Sequence, residues 1–392
     1  MPITQVSTPR ILQHRRFSAL SLFLLGLASI ILSACDANQP GSSSSEADGC
    51  WARVPGPEIE AEFVDVTAVH AISAGDVWAV GHTGTVGGDV SRTLTMHWDG
   101  AQWRTVPSPN GPNPDTGRNS LYAVSASAPD NVWAVGAYTT GGSKFRTLAM
   151  RWDGVEWRAV PTPELGEYDD ELKAVLAFAP DDVWAVGSYL NHEYEDGHMV
   201  VLHWDGVSWT RSPLPLNVTH TLLSIAANGP DDIWAVGTQV LHWNGTNWRI
   251  LPTPTAEGAY FDGVAALGKD DVWVVGNDGT AAITLHWDGQ KLNIVHVPGP
   301  AADAFLHEAT ATGGDLWTAG ENVDRPSMRE TLLMKWTGAQ WSLYPNAVPG
   351  ADARLQGVSA AKDGSLWAAG SVTEGGKSKP LFLRYSAEPC NR

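Results

Sequence analysis

The sequence predicts an all-β fold, a seven-bladed β-propeller of four-stranded antiparallel blades, and three observations predict it. The stretch Asp-Val-Trp-Ala-Val-Gly at 76–81 returns in near-copies centred on Trp133, Trp184, Trp234, Trp273, Trp317 and Trp367. Steps of 39 to 55 residues between copies are the period of a repeat architecture. All 19 tryptophans fall into three slots of this repeat, so the repeat and the apolar core are one pattern. Each unit also holds four short runs rich in Val, Leu and aromatics, punctuated by Gly, Pro and Asp, which read as strands. Four strands per unit and seven units describe a propeller.

Within a unit the first run is poor in large side chains. Ala71, Ala126, Ala177, Ala227, Ala266 and Ala360 share a slot five residues before the Asp or its replacement, as suits the strand nearest a crowded axis. The second run carries the repeated Trp and ends in Gly. The third ends in Trp-Asp-Gly at 98, 152, 204 and 287, with Asn244 and Thr337 replacing Asp elsewhere. Asp-Gly between apolar runs marks a tight hairpin to the fourth strand, because Gly takes positive φ without steric cost. The fourth run opens on Trp and leaves through Pro-x-Pro, as at Pro107 and Pro109, which suits an outer edge that need not donate hydrogen bonds. The tryptophans are expected to pack between blades.

Taken from its start, the chain opens on an address. Arg10, Arg15 and Arg16 precede an apolar run from Phe17 to Leu32 that ends in small residues, the form of a secretory signal peptide over 1–34. Residues 35–49 are rich in Ser, Gly and acids and read as a flexible tether. The ring is expected over 50–390. Trp51 to Pro57 matches the fourth-strand slot with no earlier strands before it, while the C-terminus supplies strands one to three of a last blade and stops. An N-terminal strand therefore closes the ring. Tyr385 and Trp51 then face each other, which brings Cys390 near Cys50.

Net charge is −18, with 43 acidic against 25 basic residues, and loss of the leader's arginines makes it more negative. Such a field repels nucleic acid. Neither Gly-x-Ser-x-Gly nor Cys-x-x-Cys occurs, so no catalytic motif is evident.

The turns between strands one and two, and three and four, are short and uniform, and lie on one face. The opposite face carries connections that vary, and there binding residues are expected. Two acidic loops stand out on it. Residues 164–171 supply Glu167, Tyr168, Asp169 and Asp170, and residues 191–198 supply His192, Glu193, Tyr194, Glu195 and Asp196. Solvated acidic loops, a site for a basic partner or polysaccharide, and a Ca²⁺ or transition-metal site are the three readings. No other cofactor is implied.

The sixth unit holds an anomaly. Counted back from Asp315, His307 occupies the slot of Ala68, Ala123, Ala174, Ser224, Gly263 and Gly357, and Glu308 the slot of Val69, Val124, Val175, Ile225, Val264 and Val358. An ionisable pair on an innermost strand needs a partner or water. Arg325 or channel water would satisfy it, or it binds a ligand at the channel mouth. His97, His203, His242 and His286 precede the third-strand Trp where other units have Arg151, Lys335 and Arg384, so that slot is structural rather than metal-binding.

Several motifs resemble known families. Leu-Ser-Ala-Cys at 32–35 resembles the lipobox of bacterial lipoproteins, which implies lipidation of Cys35 and leaves Cys50 and Cys390 to pair in an oxidising envelope. Trp-Asp-Gly-x-x-Trp resembles a shortened Asp-box of sialidase-type (BNR-type) propellers, and Trp157 to Pro163 resembles the end of a kelch repeat, although a single Gly stands where kelch repeats carry two. The span 51–387 is similar to bacterial envelope lipoprotein propellers with Asp-Val-Trp-Ala-Val-Gly repeats. The arginine cluster of sialidases finds no inner-strand slot here. The expectation is a monomeric, lipid-anchored, extracytoplasmic binding or scaffolding propeller for an envelope or extracellular protein or polysaccharide. The alternative is a carbohydrate-active hydrolase or lyase using carboxylates such as Glu308, Glu167 and Asp196 near the channel mouth.

Overall fold

A computed structural model describes residues 49–388 except 86, 88–89, 140–143, 194–196, 217, 219, 256–257, 299–303 and 326–327, and omits the side chains of 324 and 325. Its 28 strands form seven four-stranded antiparallel sheets arranged as a ring of blades. The innermost strands are Phe63–Ser73, Asn119–Ala128, Asp170–Ala179, Leu222–Gly229, Tyr260–Gly268, Ala304–Thr312 and Asp352–Ala360. Each packs against the next, and the last against the first. No helix of the described residues is long and apolar enough to cross a membrane.

The seventh blade takes its outermost strand from the start of the ring. Cys50–Val54 pairs antiparallel with Lys377–Ser386, with Trp51 opposite Tyr385, and Arg53 reaches Glu374 at 2.5 Å. The closure predicted from the tryptophan slots is thus present. Cys50 Sγ lies 3.8 Å from the carbonyl oxygen of Glu388, while Cys35 and Cys390 fall outside the described residues.

Tryptophans hold blade to blade. Trp78 of blade one contacts Trp152 of blade two at 5.0 Å and meets Trp157 edge-on at 5.2 Å and 89°. The same geometry recurs for Trp133 against Trp204 and Trp209, for Trp273 against Trp336 and Trp341, and for Trp367 against Trp98 and Trp103 across the closure. Trp317 meets Tyr385 and Trp51, so the aromatic seam runs through the composite blade as well. Edge-to-face pairing of this kind adds to the area each ring buries.

The cation slot preceding the third-strand Trp is structural, as expected. His97, His203, His242 and His286 stack on Trp78, Trp184, Trp234 and Trp273 at 4.4 to 4.5 Å. Each directs Nε2 to the Asp that opens strand two, at 2.7 to 2.9 Å. Arg151, Lys335 and Arg384 lie over Trp133, Trp317 and Trp367 instead. The third-to-fourth connection is a four-residue turn. In blade one, Asp99 Oδ1 accepts the N–H groups of Ala101 and Gln102 while Gly100 takes φ 92°.

Trp184 is 6% exposed and donates its indole N–H to Asp182 at 3.0 Å. Trp184→Ala is expected to cost about 3 to 5 kcal/mol of unfolding free energy. Denaturant titration measures this, and an unchanged midpoint would remove the seam from the account of stability.

Candidate functional site at the channel mouth

The innermost strands all carry a backbone device at the same height. In every blade the pairing with strand two slips by one residue: Val66/Ala68, Leu121/Ala123, Leu172/Ala174, Leu222/Ser224, Phe261/Gly263, Leu306/Glu308 and Leu355/Gly357. The skipped residue is a β-bulge, and bulges re-aim side chains. Here they aim one side chain per blade into the lumen, making a collar of Thr67, Tyr122, Lys173, Leu223, Asp262, His307 and Gln356. The lumen has a volume of about 680 Å³. The glycine ending strand two accompanies the bulge. A Cβ on Gly81 would lie 1.9 Å from the Asp65 carbonyl oxygen, and the equivalent glycines are as crowded.

This register corrects the alignment drawn from the sequence. His307 is the collar residue of blade six, and Glu308, not His307, occupies the small-residue slot of Ala68, Ala123, Ala174, Ser224, Gly263 and Gly357. Ala309 takes the slot assigned to Glu308, and Ala311 joins the alanine slot four residues before Asp315. The cause is the turn. Blades one to five have a second bulge at the end of the first strand, whereas blade six turns through Gly313 and Gly314, both at positive φ, and pairs Thr312 directly with Asp315. Two positive-φ residues match the strand twist without an extra residue.

The small slot matters because neighbouring innermost strands touch there. A Cβ added to Gly263 would sit 2.7 Å from Glu308 Cα. Gly263 therefore makes the room that Glu308 takes. Burial pushes the Glu308 carboxyl up to about 8, with the charge of Asp262 adding to this and N–H or O–H groups of Ala309, Val264 and Ser224 opposing it. Asp262 is raised as well, by burial, with His307 opposing.

His307 Nε2 lies 3.9 Å from Glu321 Oε1, and Arg329 Nε lies 3.7 Å from Glu321 Oε2. Burial would raise the Glu321 carboxyl, but His307, Arg329 and Arg354 together hold it below its usual range. Arg354 stands on the innermost strand of blade seven, a place where the sequence reading expected no arginine, and it pairs with Asp65 at 2.7 Å. The partner role assigned to Arg325 falls on a side chain outside the description. On the far side, Lys173 reaches Glu171 at 2.5 Å and lies 4.2 Å from the Tyr122 ring, whose hydroxyl donates to Glu171 at 3.3 Å.

The acidic loop at 164–171 is built rather than loose. Asp170 is 1% exposed and accepts the N–H of Gly166 at 2.8 Å, and Asp169 accepts that of Phe145 at 2.7 Å. Arg146 donates to the Tyr168 carbonyl at 2.7 Å. These two carboxylates shape the loop, while Glu167 is exposed on its outside. His192 and Glu193 are exposed, and Tyr194, Glu195 and Asp196 lie outside the described residues. Among the described residues, no group of three or more His, Cys, Asp or Glu side chains is placed to hold a metal ion.

Two titrations follow with opposite signs. A carboxyl whose folded pKa is raised stabilises the fold below its unfolded pKa, near 4.5, and loses that contribution as pH rises through about 8. Glu308→Gln is expected to flatten the fall in stability over that window. His70, also facing the lumen, is lowered to about 4, mainly by burial, although a hydrogen bond to the backbone of Ala126 opposes this. Its contribution is complete above about 6.5 and lost as pH falls toward 4, by on the order of 1 to 2 kcal/mol once water in the lumen is allowed for. Unfolding midpoints from pH 4 to 9 for the parent, Glu308→Gln and His70→Asn check both; parallel profiles would contradict them.

No family model matches the chain, and no curated protein matches it. Solved structures that are similar to it share the fold at low identity. The WD40 β-propeller domain of Doa1 is 13% identical, covering 83% of this chain and 93% of that one, with a TM-score of 0.54. YCF48 bound to D1 peptide is 14% identical, covering 86% and 97%, with a TM-score of 0.56. A Trypanosoma rangeli sialidase is 11% identical, covering 85% of this chain and 57% of that one, with a TM-score of 0.50. These likenesses show a seven-bladed β-propeller fold.

Proposed function

We propose that this chain is an extracytoplasmic binding propeller of the bacterial envelope, tethered through a lipid on Cys35, whose variable-loop face recognises a protein partner. The observation that carries the reading is the collar. Seven bulges spend backbone hydrogen bonds to direct one side chain per blade to the mouth of a lumen, beside a rim loop that Asp169, Asp170 and Arg146 hold in shape. Rigid scaffolds that present variable loops are the common form of a binding surface. Among similar propellers, YCF48 has been captured with a peptide, which supports the protein-binding reading. The ring acts as a single copy, and its acidic surface suits a basic partner.

Because Asp169 and Asp170 support the loop, the test replaces only exposed carboxylates. The tagged full chain and its Glu164→Gln/Glu167→Gln/Glu193→Gln variant are compared for proteins retained from solubilised envelope. Capture by the parent, with recovery by the variant reduced about tenfold, is expected. Equal recovery would take the rim out of the reading.

The closure is further locked by a proposed Cys50–Cys390 disulfide. It is supported by the engagement of the Cys50 sulfur in a disulfide and by its position beside Glu388. Loss of such a bridge costs about 2 to 5 kcal/mol in small secreted domains. Mass measurement of the non-reduced chain should find no free thiol at either cysteine.

One observation favours a second reading. A carboxyl kept protonated by burial, Glu308, beside Asp262 is the pairing a glycoside hydrolase or lyase would use. On that reading Glu308→Gln abolishes turnover and retains binding, whereas a binding module shows no turnover in the parent.

A further inference from the structure

The collar is satisfied on one side and open on the other. On blades one to three its polar groups are spent within the ring. Thr67 donates to the Leu121 carbonyl across the blade seam at 2.8 Å, and Tyr122 and Lys173 both engage Glu171. Blade four contributes Leu223, an apolar wall. Blades five, six and seven contribute Asp262, His307 and Gln356 as consecutive collar positions. Among the described residues, Asp262 and the Gln356 amide have no hydrogen-bond partner, and His307, which feels the charge of Asp262, makes only a long ion pair to Glu321 at 3.9 Å.

Half-buried polar groups left open in this way cost free energy unless water or a ligand completes them. Side by side they offer an acceptor carboxylate, an imidazole that donates or accepts, and an amide that does both. Adjacent hydroxyl groups, each a donor and an acceptor, match that arc. Fixed charge argues against an anionic ligand, because the nearby cations are already paired: Lys173 with Glu171, Arg354 with Asp65, and Arg329 with Glu321. Glu308, pushed up to about 8, is a neutral donor at neutral pH rather than a second anion calling for a cation. Leu223 and the Tyr122 ring supply apolar surface for the C–H face of a sugar ring. A lumen of about 680 Å³ lies within the usual range for small-ligand sites.

We propose that the open half of the collar, Asp262, His307 and Gln356, binds an uncharged saccharide in the lumen, the end or a branch of a glycan. This site is separate from the rim carboxylates, so the protein-capture experiment and the one below fail independently.

The full chain in detergent is titrated with a panel of neutral di- and trisaccharides built from hexose and N-acetylhexosamine units, read by saturation-transfer NMR and calorimetry. At least one member is expected to bind at millimolar or lower concentration. Asp262→Asn and Gln356→Ala should each weaken it by about tenfold, and Tyr122→Phe, on the satisfied half, by no more than about threefold. Val155→Ser, at an exposed hairpin tip on the other face, should leave binding unchanged, and thermal unfolding of every variant verifies the ring. The proposal is overturned if no panel member binds, if Asp262→Asn and Gln356→Ala bind as the parent does while folded, or if a lysine-containing peptide occupies the lumen and saccharides do not.

Discussion

Everything in this molecule depends on the contact between the second-strand tryptophan of one blade and the aromatic pair that flanks the hairpin of the next, with Leu292 in the second place on blade five. A four-stranded blade cannot bury its own face. Seven blades bury one another's only if each seam is filled to the density of a protein interior. Trp78 on Trp152 and Trp157 fills one seam, and the composite blade repeats the solution with Tyr385 and Trp51. Because the last seam needs Trp51, ring closure and the path of the N-terminal strand are one constraint. The residue stacked on each strand-two Trp, tied by the histidines to an Asp of the same blade, helps hold the ring orientation that the seam requires.

That rigidity frees the inner strands to carry function. At each first strand the backbone gives up one ladder position to a bulge, and the glycine at the end of strand two lets the chains approach closely enough for it. The consequence is a collar whose seven residue types follow no packing rule. Side-chain bonds between blades occur just below it, where Ser359 accepts the Ala71 N–H, Ser125 that of Ala177 and Thr310 that of Ala360. The equivalent positions on blades three to five are Leu176, Ala226 and Ala265. Glu308 sits on the side that lacks this belt, reaching toward Val264 of blade five and Ser224 of blade four.

The fold was legible because tryptophan is rare and bulky, so its slots mark register through loops of unequal length. The site was legible only in part. His307 and Glu308 stood out as ionisable residues on an inner strand, but counting back from Asp315 misplaced them by one residue, since the Gly313-Gly314 turn removes a bulge that blades one to five contain. The collar itself was missed because a bulge is a property of the backbone, and Thr67, Leu223 and Gln356 share no chemistry. The repeated Gly ending strand two was the available signal: it marks where the first strand must come close. In the rim loops the sequence counted carboxylates without separating Glu167, which faces solvent, from Asp170, which is buried under its own loop.

The central claim is that the collar face, not the hairpin face, receives the ligand. Amide hydrogen exchange on the full chain, with and without a partner recovered from solubilised envelope, tests it most directly. New protection should concentrate at residues 164–171 and at the starts of the innermost strands that carry the collar. Protection at the Asp-Gly turns near 99, 153 and 205, with the collar strands unchanged, would contradict the account.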